Sequence, residues 1–232
     1  MQFHSVEPRF HGVLFDVDGT LVNTVPMILA GLKETYRDLG AEPTDADIFG
    51  LIGTPLRIQL NMFGLDQKTT TMEERMALAV ENYRKYRHLI QPFAPMMSAC
   101  LQLIEAKIPV ALVTSRNALE VEHLLLDFPE LSSANAIVHC DTAARPKPAP
   151  DPAIFACEKL GISPEKTAFI GDSEHDMKCA KSAGTYAVAV SYGASSSNNL
   201  ASTGADIILE TPESCAEWIT THITSTRWIT TN

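Results

Sequence analysis

Residues 13–24 read VLFDVDGTLVNT. An apolar run ends in Asp16, Asp18 follows two places on, and Gly19-Thr20 comes next. Such a run has the look of a buried strand, yet it leads straight into two acidic groups. Burying a bare carboxylate costs several kcal/mol unless a cation or hydrogen-bond donors compensate it. In open α/β sheets, ligands sit in the crevice outside the carboxyl ends of the strands, where the strand order reverses. Asp16 is therefore expected to emerge at that rim rather than in the core. Gly19-Thr20 supplies a tight turn whose backbone N–H groups are expected to face an anion.

Outward from this stretch, further β-branched and aliphatic runs occupy 109–113, 135–139, 167–171, 185–190 and 206–209. Segments with helical spacing lie between them at 95–107, 117–127, 151–160 and 174–183, with another helix at 213–221. Strand alternating with helix predicts parallel βαβ units and a doubly wound sheet, and the runs are continuous, as strands covered on both faces should be. Residues 24–93 break the rhythm. They read as successive helices over 25–39, 44–50, 55–62 and 72–89, punctuated by turns at Gly40–Pro43 and from Gly64. The expected architecture is an α/β core over 1–23 and 94–232, with an α-helical block over 24–93 inserted after the first strand. The Ser/Asn-rich stretch 193–199 reads as a surface loop, and residues 222–232 as a peripheral tail.

The chain has 232 residues, a formal net charge of −10 and 45% hydrophobic residues. That length is ample for a sizeable core. The acidic balance argues against a general nucleic-acid or anionic-membrane binder. Five scattered cysteines without a C-x-x-C pair suit buried free thiols in a reduced compartment. No apolar run approaches a membrane span, and the first residues show no signal-peptide pattern. A cytoplasmic protein is expected.

A second acidic pair, Asp172 and Asp176 in AFIGDSEHDM, stands at the end of another strand. Two parallel strands ending in carboxylates at one rim would make a pocket of hard oxygen ligands, the set that Mg²⁺ prefers. Opposite chemistry comes from PVALVTSR, which ends in Thr114, Ser115 and Arg116, and from Lys147 in the proline-stiffened loop ARPKPAPDP. Carboxylates and a metal beside a hydroxyl and a lysine form a site suited to phosphate, since phosphoryl transfer needs a nucleophile, a metal and cations around the equatorial oxygens.

Taken together, D-x-D-G-T (Asp16 to Thr20), the strand ending in Thr114, Lys147 in K-P-x-P and G-D-S-x-x-D (Gly171 to Asp176) resemble the haloacid dehalogenase-like hydrolase superfamily. Within it the pattern looks closest to phosphoglycolate phosphatase-like enzymes. The resemblance implies that Asp16 is a nucleophile forming an aspartyl-phosphate. Asp18 would be general acid and then base. Mg²⁺ would be held by Asp16, the backbone carbonyl of Asp18 and Asp172, with Asp176 supporting them from behind. Thr114 and Lys147 would grip the phosphoryl oxygens. The inserted helices would be a mobile cap that excludes water and selects the substrate.

Around this set, Gly19, Thr20, Ser115 and Arg116 are candidate substrate contacts, although Arg116 could equally be solvated. Residues 50–60, GLIGTPLRIQL, resemble the cap loop that reaches into the site. There Arg57 is a candidate for a substrate carboxylate or second phosphate, the alternative being an ordinary surface arginine. His175 reads as a polar neighbour rather than a ligand, because Mg²⁺ prefers oxygen. Met96, Met97, Trp218 and Trp228 read as packing groups. Asn23 departs from the aspartate that many relatives carry there, which bears on the cap hinge. The second aspartate disfavours a dehalogenase, and the lack of an evident Schiff-base lysine in the cap disfavours phosphonate cleavage. The reading is thus a phosphatase of a small phosphorylated metabolite, acting as a monomer or a homodimer. A phosphomutase, a pyrophosphatase and a catalytically idle binding protein are the alternatives.

Overall fold

The computed structural model describes residues 9–61 and 70–223, together with the backbone of residues 3–5 and 228–230. Strand β1 (Phe3–Ser5) precedes β2 (Gly12–Phe15), the strand of the opening motif. After β3 (Val22–Asn23) come helices α1 (Val25–Asp38), α2 (Asp45–Phe49), α3 (Leu56–Gln59) and α4 (Met72–Tyr86), and then β4 (Gln91–Pro92). The βα rhythm follows as α5 (Ala94–Glu105), β5 (Val110–Val113), α6 (Ala118–Asp127), β6 (Ala136–Val138) and α7 (Asp151–Leu160). It continues through β7 (Thr167–Gly171), α8 (Glu174–Ala183), β8 (Tyr186–Val190), α9 (Ser197–Ser202), β9 (Ile207–Leu209), α10 (Pro212–His222) and β10 (Trp228–Thr230).

Six of these strands form one sheet in the order β6-β5-β2-β7-β8-β9, with every neighbouring pair parallel. The first strand of the sheet lies in its middle. The chain fills one side and then crosses to the other, so the switch in strand order falls beside β2, where ligand crevices form. Successive side chains on a strand point to opposite faces. Val13, Phe15, Leu112 and Ile170 accordingly pack with Met96, Cys100 and Leu103 of α5 and Trp218 and Ile219 of α10. Leu14, Ala111, Val113 and Phe169 pack with Ala153 and Ala156 of α7 and Met177 and Ala180 of α8. Both faces are covered, which explains why these strands read as continuous apolar runs. The five cysteines are free thiols, four of them buried.

Helices α1 to α4 carry a hydrophobic core of their own, built on Leu32, Tyr36, Ile48, Leu56, Leu60 and Ala79. Two boxes of reciprocal hydrogen bonds start their helices, Thr44 with Asp47 and Thr71 with Glu74. The two chain segments that join these helices to the sheet run side by side as the β3–β4 ladder, with Val22 opposite Pro92 and Asn23 opposite Gln91. Phe93 N–H donates to the Leu21 carbonyl (2.9 Å) just beyond it. Asn23 thus occupies a strand position in the link between sheet and helices.

Three local features differ from the sequence reading. The β3–β4 ladder was not expected, because two-residue strands leave no periodicity to read. Helix α9 begins inside the stretch read as a loop, with Ser196 capping it through Asn199 N–H and Leu200 as its buried anchor. Residues 228–230 pair antiparallel with residues 3–5 rather than trailing off. The turn expected from Gly64 and the side chain of Trp228 lie outside the described residues. Met96, Met97 and Trp218 are buried packing groups, and Trp218 stacks on Tyr186 with ring centroids 6.0 Å apart.

Leu14 is fully buried on the central strand. Leu14→Ala is expected to lower the unfolding free energy by about 2–5 kcal/mol in urea denaturation. A loss below about 1 kcal/mol would be inconsistent with a close-packed central strand.

Candidate active site

Three neighbouring strands deliver polar groups to one rim. Asp16 follows β2 and extends its pairing, its N–H donating to the Ile170 carbonyl (2.9 Å). Thr114 follows β5, and Asp172 follows β7. Lys147 enters from the proline-rich loop ahead of α7, and its side chain is 1% exposed. Its ammonium donates to Asp16 Oδ1 (2.6 Å), Asp176 Oδ1 (2.6 Å) and the Val113 carbonyl (3.0 Å). Burial opposes the lysine's charge, but the two carboxylates outweigh it and hold the pKa above its usual value. Asp176 is fixed from the other side by Ser173, whose N–H (3.0 Å) and hydroxyl (2.5 Å) donate to Oδ2. Ser173 caps α8. Gly171 is needed beside it, since a Cβ there would collide with the Asp176 side chain.

Asp172 is 1% exposed and accepts a hydrogen bond from Ala194 N–H (2.6 Å). Gly19 and Gly193 wall it in, and a Cβ on either would run into its carboxylate. Asp16, Asp172 and Asp176 each offer an oxygen within 4.8 Å of the others. One lysine therefore serves three buried carboxylates, and the cluster is short of positive charge. Burial and the neighbouring Asp176 charge, against the pull of Lys147, raise the Asp16 pKa to about 7. Burial and the charges of Asp16 and Asp176 push Asp172 well above the carboxylate range. A hard dication would satisfy this deficit, and carboxylate oxygens are its preferred donors. The residues present fit Mg²⁺.

Asp18 meets a different environment two residues away. Arg116 grips it with two hydrogen bonds, Nε to Oδ2 (2.9 Å) and Nη2 to Oδ1 (2.7 Å), and the Thr24 hydroxyl donates to Oδ1 (2.7 Å). Burial alone would raise its pKa, but the Arg116 charge and these hydrogen bonds bring it below the ordinary value. The sequence left Arg116 between a substrate contact and a solvated side chain. The structure makes it the bidentate partner of Asp18.

Several expected contacts differ in detail. Gly19 N–H donates to the Val22 carbonyl (2.8 Å) and Thr20 N–H to the Val17 carbonyl (3.3 Å), so neither amide is free to face an anion. The turn spends them on its own closure, with Gly19 at φ +79°. Thr20 instead points its hydroxyl at Asp16 Oδ2 (3.5 Å). Thr114 is buried and accepts from Arg116 N–H (3.2 Å). Ser115 donates to the Gly53 carbonyl (2.6 Å) and so joins the sheet rim to the loop ahead of α3. Arg57 is a correction. It is exposed, lies 3.7 Å from Glu73 on the outside of the helices, and does not line the cavity. On α3 the inward positions are taken by Leu56 and Gln59. The sequence reading also missed Thr24, Ser173, Gly193 and Ala194. Only Ser173, three residues before an acid at a helix start, carried a usable signal.

A cavity of about 320 Å³ opens above Asp16 and Asp18, between α1, α3 and α4 on one side and α6 on the other. Gly53 closes its inner end. At φ +93° it lies so near Ser173 that an added Cβ would be 2.9 Å from that hydroxyl.

A sequence profile of haloacid dehalogenase-like hydrolases matches residues 13–190. The chain belongs to this family. A pyrophosphatase PpaX from Oceanobacillus iheyensis is 28% identical over 85% of this chain and 91% of its own. A phosphoglycolate phosphatase from Pseudomonas putida is 26% identical over 82% and 72%. The crystal structure of a hydrolase from Pseudomonas syringae superposes with a TM-score of 0.78 at 22% identity, covering 90% of this chain and 97% of that one. At this identity the last comparison speaks to the fold alone.

Removing one partner of a buried ion pair leaves the other uncompensated. Lys147→Met is expected to lower stability at neutral pH by about 3 kcal/mol or more in urea denaturation. A change below about 1 kcal/mol would show that Asp16 and Asp176 do not depend on the lysine.

Proposed function

We propose that the protein is a Mg²⁺-dependent phosphatase that hydrolyses a phosphate monoester through a phosphorylated Asp16. The observation that carries this reading is the buried Asp16, Asp172 and Asp176 cluster, with one lysine for three carboxylates, of which Asp16 lines the cavity. Asp16, Asp172 and the Asp18 carbonyl would hold the metal, with Asp176 and Lys147 bracing them. When bound, the ion neutralises the carboxylates and the phosphoryl oxygens so that the anionic nucleophile can approach an anionic ester.

In the first step an Asp16 oxygen forms a bond to phosphorus. The ester P–O bond breaks, and its electron pair stays on the leaving oxygen, which takes a proton from Asp18. In the second, water attacks the phosphorus, Asp18 takes its proton, and the bond to Asp16 breaks to release phosphate. Asp18 as found, ionised on Arg116, is ready for the second step. For the first it must gain a proton and leave the guanidinium, and phosphoryl oxygens entering the site compete for Arg116. Lys147 and Thr114 are suited to hold the phosphoryl group in place. The helices of residues 24–93 would act as the cap, with the β3–β4 ladder as their hinge. Phosphoglycolate and pyrophosphate, the substrates that relatives' names suggest, would pass through the same steps, and so would the first half of a phosphomutase reaction.

With p-nitrophenyl phosphate and Mg²⁺, Asp16→Asn is expected to lose about 10³-fold or more in kcat. EDTA should abolish wild-type turnover, and added Mg²⁺ should restore it. An Asn variant as active as the wild type, or full activity in EDTA, would overturn the reading.

A further inference from the structure

The cavity says more about the leaving group than about the phosphate. Its outer part is a channel between two helix faces. Val80, Tyr83, Arg84 and Arg87 line one side and Glu120, His123, Leu124 and Asp127 the other. Both sets follow the three- and four-residue spacing of a single helical face. In each the first and last residues are seven positions apart, so the channel is about 10 Å long at 1.5 Å per residue. Its direction is fixed at both ends. Arg116, which holds Asp18, also donates to the Glu120 carbonyl (3.3 Å) at the inner end. At the outer end Arg87 and Asp127 form an ion pair across the mouth, with Nε to Oδ2 at 2.9 Å.

Two of the three arginines that line this channel are already held by carboxylates. Arg116 is committed to Asp18 and Arg87 to Asp127, while Arg84 is exposed at the lip. Glu120 adds a carboxyl whose pKa burial raises. The walls between the ends are largely apolar, with Ile28, Val80, Ile90, Leu124 and Phe128 contributing. Such a channel offers little to a second anionic group, whereas an uncharged hydrocarbon would displace water from it favourably.

We propose, on the basis of the phosphatase reading above, that the preferred substrates are monoesters whose leaving group is extended, uncharged and largely apolar, such as alkyl or aryl-alkyl phosphates. Phosphoglycolate and pyrophosphate, with short anionic leaving groups, leave the channel unfilled and are poor substrates.

The test is kcat/KM for ethyl, butyl, hexyl and octyl phosphate, whose leaving oxygens are nearly alike in basicity, beside phosphoglycolate and pyrophosphate. Each buried methylene is expected to raise kcat/KM about fourfold, giving roughly 250-fold between ethyl and hexyl phosphate. Val80→Asn should flatten that rise. Leu126→Asn, at a side chain already exposed at the mouth, should do so in part without threatening the fold. Binding of the matching alkylphosphonates, followed by calorimetry, should tighten along the same series. A flat or falling series, or phosphoglycolate turned over faster than hexyl phosphate, would overturn the proposal and leave the phosphatase reading standing. If none of the esters were hydrolysed, both would fall.

Discussion

A buried ammonium group holds the site together. Lys147 is nearly inaccessible, yet it touches Asp16, Asp176 and the end of β5 at once. A charge in that position is tolerable only if its partners are fixed, and each partner is fixed by a separate device. Asp16 is anchored by the ladder to β7, and Asp176 by its bonds to Ser173. The lysine's own loop is stiffened by prolines. Three strand ends and two loops are thereby brought into one arrangement, at the place where the strand order reverses. One positive charge against three carboxylates is still a deficit, which makes the cluster a ready receptor for a dication.

The second consequence is a division between two aspartates that are neighbours in sequence. Asp16 lies among like charges in a buried pocket and is raised to about 7. Asp18, gripped by Arg116 and Thr24, is lowered. Pairs of carboxyls pushed apart in this way are suited to different tasks. In the proposed mechanism one is the nucleophile and the other moves protons. The same Arg116 that lowers Asp18 also stands at the inner end of the channel. Departure of Asp18 from its resting partner and arrival of the phosphoryl group would then be linked through one side chain.

Much of this was legible in the sequence because it depends on local patterns. The continuous apolar runs marked strands covered on both faces, and the carboxylates that follow Phe15 and Gly171 marked the rim. Residues 24–93 stood out because their period changes from that of strands to that of helices. The two-residue β3–β4 ladder could not be read, since its pairing joins residues far apart in the chain. The role of Arg116 was left open for a related reason. Its partner lies 98 positions away, and only the sheet order brings them together. Arg57 shows the opposite failure. Its segment resembles a loop that enters the site, but which way a side chain faces on so short a helix is decided by packing, and Leu56 and Gln59 face inward instead. Gly193 and Ala194 were hidden in a Ser/Asn-rich stretch whose composition says only that it is polar.

The account stands or falls on covalent chemistry at Asp16. The most direct measurement is a rapid acid quench of the Mg²⁺-loaded enzyme during turnover of a ³²P-labelled monoester, followed by peptide mapping. The label is expected on the peptide that contains Asp16, at a level that rises and decays with turnover. Steady release of labelled phosphate with no label on the protein, or with label on a different residue, would contradict the account.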